Sequence, residues 1–281
     1  MRLLSTLEIG TLSRGELEDS CRQNSQIAYI GETRSICRSL TRYKVFVRNF
    51  DLGFAPHLML DGFWEVWLTQ FIARTIKPGS VVIDIGANFG YYSTLMADLV
   101  GPAGHCIVVE PNPDTASDLQ DTLAINGFAH RTTLIKKAIT ERTGENFKFI
   151  IPSDEPKNAR LIQEDLFEIP DVGCKIIEVK GETIDNMISN WPNIDFIKID
   201  AEGAEIYAIK GMTQLLKRCR PTIVMEFNAA RPGSKILLDE ILQYYPKIKH
   251  IDFSGSADAI EPSRLMVERG NEDWLLLLSN N

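Results

Sequence analysis

From about residue 80 the chain alternates short, continuous apolar runs with helical stretches, and the first run breaks into a glycine turn: Val82-Ile83-Asp84-Ile85-Gly86-Ala87-Asn88-Phe89-Gly90-Tyr91. Runs without polar alternation fit strands covered on both faces, and strand–helix alternation closes into a parallel sheet with right-handed crossovers. The runs are Ser80–Ile85, His105–Val109, Thr132–Ile139, Asn146–Ile151 after a hairpin at Thr143-Gly144, Cys174–Val179, Asp195–Ile199, Thr222–Phe227, 247–253 and Trp274–Leu278. Helices are expected over Gly90–Val100, Asp114–Asn126, Thr183–Ser189, Ala204–Leu216 and 234–244, and an irregular insertion over 152–173. Upstream, residues 14–41 read as a helix, 43–50 as a strand, and Phe63–Ile76 as a helix that stops before Pro78-Gly79. The expected architecture is therefore α/β, with an extension over 1–62 and a main domain over 63–281.

A strand, a glycine turn and a helix form the place where open α/β sheets bind nucleotide-like ligands. The helix opening near Gly90 offers free N–H groups to an anion, and Gly86 has no Cβ to keep a ligand away. The dinucleotide string G-x-G-x-x-G fails here, because Asn88 and Tyr91 stand where glycines belong. Asp84, just ahead of the turn, would repel a pyrophosphate but could hold an ammonium group, directly or through water. A ligand with an amino-acid end and a nucleoside end fits, and S-adenosylmethionine is such a ligand. The next run ends in Glu110, at the offset where an acid accepts both ribose hydroxyls. The plainer role for Glu110 is a cap for the following helix.

Val82 to Ser93, then Val109-Glu110-Pro111-Asn112-Pro113, then Ile197-Lys198-Ile199-Asp200-Ala201-Glu202-Gly203-Ala204-Glu205, then Ile223–Phe227 together resemble the FkbM family of methyltransferases. The resemblance covers roughly residues 60–280, and the K-I-D-x-E-G-x-E string is its most specific part. It implies the class I, Rossmann-like, seven-stranded methyltransferase sheet with helices on both faces and a reversed last strand. It also implies S-adenosylmethionine as donor and a hydroxyl oxygen as acceptor, on a glycan or polyketide-like metabolite. By motif position Asp84, Gly86, Ala87, Asn88, Gly90, Tyr91 and Glu110 take donor-binding roles, and Ser93 and Ala138 go with them.

Lys198 and Asp200 are two apart on a strand and point the same way, with Asp200 at the carboxyl edge where such sheets put their sites. A lysine in an apolar strand needs a carboxylate partner or a working role. Methyl transfer to oxygen requires alignment and removal of the hydroxyl proton. Asp200 is the first candidate base, with Lys198 as a second base or the residue that orients it; Glu226 also ends a strand and could face the cleft. Asp200, Glu226 and Asn228 could instead hold a divalent metal, although none is expected. Glu205 reads as a helix cap, Glu202 as cap or site, and Trp64 and Trp67 as core packing. Glu65 reads as either exposed or in reach of the donor's amino group, and His57 as a residue that a lid would bring to the cleft.

The net charge is −8, which argues against a nucleic-acid footprint. Residues 1–60 nevertheless carry 8 basic and 6 acidic side chains. Arg34, Arg38 and Arg42, four apart, would share a helix face, as a solvated surface or as a docking strip for an anionic acceptor. Five scattered cysteines without a CxxC pair, no apolar run near the roughly 20 residues of a membrane span, and no signal-like start fit a cytoplasmic protein. The expected partner is a small-molecule or glycan acceptor, with a homodimer possible. The alternatives in other classes are a nucleotide-cofactor oxidoreductase and a non-catalytic donor-binding module.

Overall fold

The computed structural model describes residues 2–153, 155–162 and 173–280. Two short helices open the chain, α1 (Thr6–Thr11) and α2 (Arg14–Asn24), each started by a capping box, Ser5 with Glu8 and Ser13 with Glu16. Strands β1 (Ile27–Ile30), β2 (Arg34–Ser39) and β3 (Tyr43–Arg48) form an antiparallel sheet, followed by α3 (Ala55–Leu60) and α4 (Val66–Thr75). Then come β4 (Val81–Ile85), α5 (Tyr91–Val100), β5 (His105–Val109), α6 (Pro113–Ile125), β6 (Thr132–Ile135), β7 (Ala138–Ile139), β8 (Asn146–Pro152), β9 (Arg160–Leu161) and β10 (Cys174–Glu182). The last part comprises α7 (Ile184–Met187), β11 (Phe196–Ile199), α8 (Glu205–Lys210), α9 (Thr213–Arg218), β12 (Thr222–Phe227), α10 (Ser234–Tyr244), β13 (Ile248–Ile251), β14 (Ala257–Ile260), α11 (Pro262–Leu265) and β15 (Trp274–Leu278).

The main sheet runs β14-β13-β15-β12-β11-β4-β5-β6, with β15 antiparallel to both neighbours and the five strands from β12 to β6 parallel. Removing edge strand β14 leaves the expected seven strands with one reversed; Ala257–Ile260 adds an eighth by pairing with β13. The chain winds from β4 outward through β5 and β6, then returns to build β11 and β12 on the other side of β4. That reversal opens a crevice beyond the carboxyl ends of β4 and β11. No described helix is long and apolar enough to cross a membrane.

Period two sorts the strand residues into two apolar layers. Val82, Cys106, Val108, Phe196 and Val224 face one layer, shared with residues of α1, α2, α4, α5 and the β1–β3 sheet. Ile83, Ile85, Ile107, Val109, Ile197, Ile199, Ile223 and Met225 face the other, against α8, α9 and α10. Asp84, Lys198 and Glu226 continue the first series, so these three charged residues fall on the side of the N-terminal extension.

Several expectations need correction. The helix expected over 14–41 ends at Asn24, because the β-branched and aromatic run Ile27-Ala28-Tyr29-Ile30 turns at Gly31 into a strand whose Ser35, Cys37 and Ser39 alternate inward. Arg34 and Arg38 therefore share a strand face and Arg42 sits in the following turn. The basic strip is also engaged within the chain: Arg34 pairs with Asp118 (2.8 Å) and Asp121 (2.7 Å), Arg48 with Asp118, and Arg42 with Asp98 (2.7 Å). It clamps the small sheet onto α5 and α6 rather than presenting an anion-docking face. The run Thr132–Ile139 splits at Lys136-Lys137, and β7 leaves the main sheet to pair with β10, which also pairs with β8; the expected strand Asn146–Ile151 belongs to this second sheet. The helix expected over Ala204–Leu216 breaks between α8 and α9. Half of the expected 152–173 insertion, residues 154 and 163–172, lies outside the described residues.

Candidate functional site

A cavity of about 590 Å³ occupies the crevice, within the usual range for small-molecule sites. Of the residues singled out from sequence, Gly86, Ala87, Asn88, Tyr91, Glu110, Ala138, Lys198, Asp200 and Glu226 line it. Asp84, Gly90 and Ser93 do not; they lie behind its wall.

The turn after β4 is fixed by main-chain contacts. The amides of Gly86 and Ala87 donate to the carbonyl of Val109 at 3.1 Å, tying the turn to β5. Gly86 sits at φ +71°, and a Cβ there would lie 1.6 Å from the carbonyl oxygen of Asp200. The glycine is thus required by the close approach of the β4 and β11 loop backbones, not only by a ligand. Asn88, also at positive φ, donates its amide to Glu110 Oε2 (2.9 Å), and Asn112 donates its own to Glu110 Oε1 (2.8 Å). Each carboxylate oxygen keeps acceptor capacity toward the cavity. Glu110 is only 7% exposed, and burial pushes its carboxyl up to about 7 despite the two amides.

Register explains the charged cluster beneath. Lys198 on β11 is level with Asp84 on β4, and both are buried. Lys198 Nζ lies 3.1 Å from Asp200 Oδ2 and 3.6 Å from Asp84 Oδ1, and Ser93 Oγ donates to Asp84 Oδ2 at 2.6 Å. Burial alone would lower the lysine's pKa, but the carboxylates of Asp200 and Asp84 outweigh it and hold the ammonium above its ordinary value. Of the two expectations for Lys198, second base or a residue that orients Asp200, this ion-paired geometry favours the second. Asp84 has its charge matched from behind the wall.

Arg231, absent from the sequence reading, gathers the acids on the far side. It lies 3.1 Å from Glu202, 3.3 Å from Glu205, 3.6 Å from Asp273 and 3.8 Å from Glu226. Repulsion from Asp200, then burial, pushes the Glu226 carboxyl well above the usual carboxylate range. Burial and the neighbouring Asp200 likewise push Glu202 up to about 7. Glu205, expected as a helix cap, instead closes the turn ahead of α8: its Oε1 accepts from the amides of Ala201 (3.1 Å) and Gly203 (3.3 Å), which precede the helix.

The third oxygen of the conceivable metal set is engaged elsewhere: Asn228 Oδ1 accepts from the Ala230 amide (2.9 Å), while Nδ2 donates to the Asn271 carbonyl (2.8 Å) and to Asp273 Oδ1 (3.1 Å). Among the described residues no group of three or more His, Cys, Asp or Glu side chains is arranged to hold a metal ion. Glu65 lines the cavity rather than facing solvent, held by a hydrogen bond from Tyr92 Oη (2.8 Å). Trp64 also lines it, packed against Phe54 and the His57 ring at centroid distances of 5.4 and 4.8 Å. Tyr92, Arg231, Asp273 and Lys157 complete the wall, and no spacing rule marks any of them in the sequence.

Residues 84–253 match the family described as Methyltransferase FkbM domain. The match covers more than half of the chain, and the chain belongs to that family. Among curated proteins, it is 33% identical over 63 residues to the protein-L-isoaspartate O-methyltransferase of Ignicoccus hospitalis, covering 22% of this chain and 30% of that protein. It is 31% identical over 88 residues to the enzyme of the same name from Hyperthermus butylicus, covering 29% and 33%. The chain thus spans about a third of the length of the curated relatives it matches. Among solved structures, the O-methyltransferase TomG of Streptomyces achromogenes in complex with SAM aligns with 13% identity over 77% of this chain and 79% of its own, at a TM-score of 0.42. An O-methyltransferase of Bacillus cereus in complex with SAH aligns with 13% identity over 82% and 84%, at 0.41.

Proposed function

We propose that this chain is an S-adenosylmethionine-dependent O-methyltransferase acting on a hydroxyl of a glycan or polyketide-like metabolite. Family membership supports the reaction class. The residues present fit the donor: Glu110 retains two oxygens for a vicinal diol, and the turn at Gly86–Gly90 leads into the N-terminus of α5, where an anionic tail is favoured. When bound, the donor supplies an electrophilic methyl carbon on sulfur.

The observation that carries the oxygen-acceptor reading is Asp200: a carboxylate on the cavity wall, oriented by a buried ammonium 3.1 Å away. A hydroxyl is a poor nucleophile until it loses its proton, and Asp200 takes that proton as the oxygen–carbon bond forms and the carbon–sulfur bond breaks. Lys198, 3.1 Å away, keeps Asp200 aimed. Glu226, on the same wall beside Arg231, borders the acceptor's place. Gly86, Ala87, Asn88 and Tyr91 shape the donor's bed, and Ala138 borders its base. Asp84, Gly90 and Ser93 act from behind, Asp84 by fixing Lys198 and the other two by holding the turn and helix. Residues 1–62 form an extension that covers one face of the methyltransferase domain.

The test is a screen with methyl-labelled donor against glycans and polyketide precursors, wild type beside Asp200→Asn. Label on a hydroxyl oxygen, lost in the variant, supports the reading. Label found only on amines or carboxylates, or undiminished in the variant, would reject it.

A further inference from the structure

The donor's methionine tail is a zwitterion, and its two charges need different partners. The tail carboxylate belongs at the N-terminus of α5, a ten-residue helix that opens on the glycine turn. The α-ammonium needs a carboxylate that reaches the cavity. Asp84, the acid of the turn, does not: it is fully buried, accepts from Ser93 and lies against Lys198. Of the carboxylates on the wall, Glu110 is held at the ribose side by two backbone amides, Asp200 is paired with Lys198, and Glu202, Glu226 and Asp273 surround Arg231.

Glu65 stands apart from these. It comes from the segment ahead of the sheet, at the start of α4, and its backbone takes a left-handed conformation at φ +36° that a residue of this size rarely adopts. Such strain persists where surrounding structure enforces it, and it concentrates at ligand sites. The hydroxyl that holds Glu65 Oε2 is a neutral phenol, that of Tyr92, the second residue of α5. One accepted hydrogen bond leaves most of a carboxylate's acceptor capacity open. Glu65 is therefore tethered to a residue in the first turn of the very helix whose terminus would take the tail carboxylate. Burial, then repulsion from the nearby Asp200, raises its carboxyl although Lys198 and Lys157 pull the other way, and a cation placed between the two acids would offset that repulsion.

We infer that Glu65, held by Tyr92, receives the α-ammonium of the methionine tail. This assignment rests on the donor reading above. It divides the tail between an anion site made by a helix terminus and a cation site supplied by the segment before the sheet.

Calorimetry at pH 8 with two ligands tests it: S-adenosylhomocysteine, and its deaminated analogue with hydrogen in place of the α-amino group. Wild type should prefer the amino ligand. Glu65→Gln, which keeps the shape and can still accept from Tyr92, should weaken S-adenosylhomocysteine about tenfold to a hundredfold and leave the analogue unchanged. Tyr92→Phe, which frees Glu65 without removing it, should weaken only the amino ligand, by a few-fold. Unchanged binding in Glu65→Gln, or equal weakening of both ligands in both variants, overturns the assignment while the donor reading stands. If wild type binds neither ligand, the donor reading falls and the assignment with it.

Discussion

The two halves of the crevice are held together by different means. At the ends of β4 and β5 the key groups are fixed by the main chain: Glu110 by the amides of Asn88 and Asn112, the turn by the carbonyl of Val109. At the ends of β11 and β12 they are fixed by other side chains: Asp200 by Lys198, and the remaining acids by Arg231. Backbone hydrogen bonds follow from fold and local sequence, so a donor site built that way is common property of an architecture. Ion-paired side chains can be changed one at a time, which on the proposed reading suits the half that fits a particular acceptor.

This contrast can be broken or sharpened by experiment. The largest effect should come from Asp200→Asn: turnover in single-turnover assays falls about 10²- to 10⁴-fold, with S-adenosylhomocysteine affinity by calorimetry nearly unchanged. A parallel loss of affinity would blur the division. Next, Gly86→Ala should destabilise the fold by about 4 kcal/mol in denaturant melts, because its methyl would meet the Asp200 carbonyl at an unfavourable φ. A near-native melt would mean that the two loops part easily.

Glu110→Gln should weaken S-adenosylhomocysteine about tenfold to a hundredfold while leaving Asp200 chemistry intact at saturating donor. The same residue sets a pH dependence. Its carboxyl is raised to about 7 in the free protein, and ribose hydroxyls donate to the charged form. Binding therefore releases a proton below that pH, and affinity should weaken by up to about tenfold per unit as pH falls below 7. In Glu110→Gln that slope should vanish; its persistence would assign the titration to another group. The smallest effect is expected outside both halves. Arg34→Ala removes one partner of the buried Asp118, which keeps Arg48, and should cost about 1–2 kcal/mol of stability with donor affinity unchanged.

Much of the crevice wall at the ends of β4 and β5 was legible in the sequence because its signals are local. Asp84 to Gly90 and Glu110 sit at fixed offsets from two apolar runs, and those runs are strands β4 and β5. The need for a partner at Lys198 was legible too, as an oddity in an apolar strand; that Asp84 is one such partner depends on strand register. Arg231 and Tyr92 were not legible, since neither spacing nor composition says which distant side chains converge on a crevice. The reading failed at 25–41, where a four-residue spacing of arginines suggested a helix: on a strand, positions four apart also share a face, and the β-branched residues between them decide the matter. It also failed at β7 to β10, where a second sheet takes strands that local pattern assigns to the first.

The most direct test of the central claim, one crevice with its donor half at Glu110 and its reacting half at Asp200, is a crystal structure of the wild-type protein with S-adenosylhomocysteine. The account predicts both ribose hydroxyls on the Glu110 carboxylate and the sulfur turned toward Asp200. A ligand seated elsewhere, or with its ribose held by another group, would contradict it.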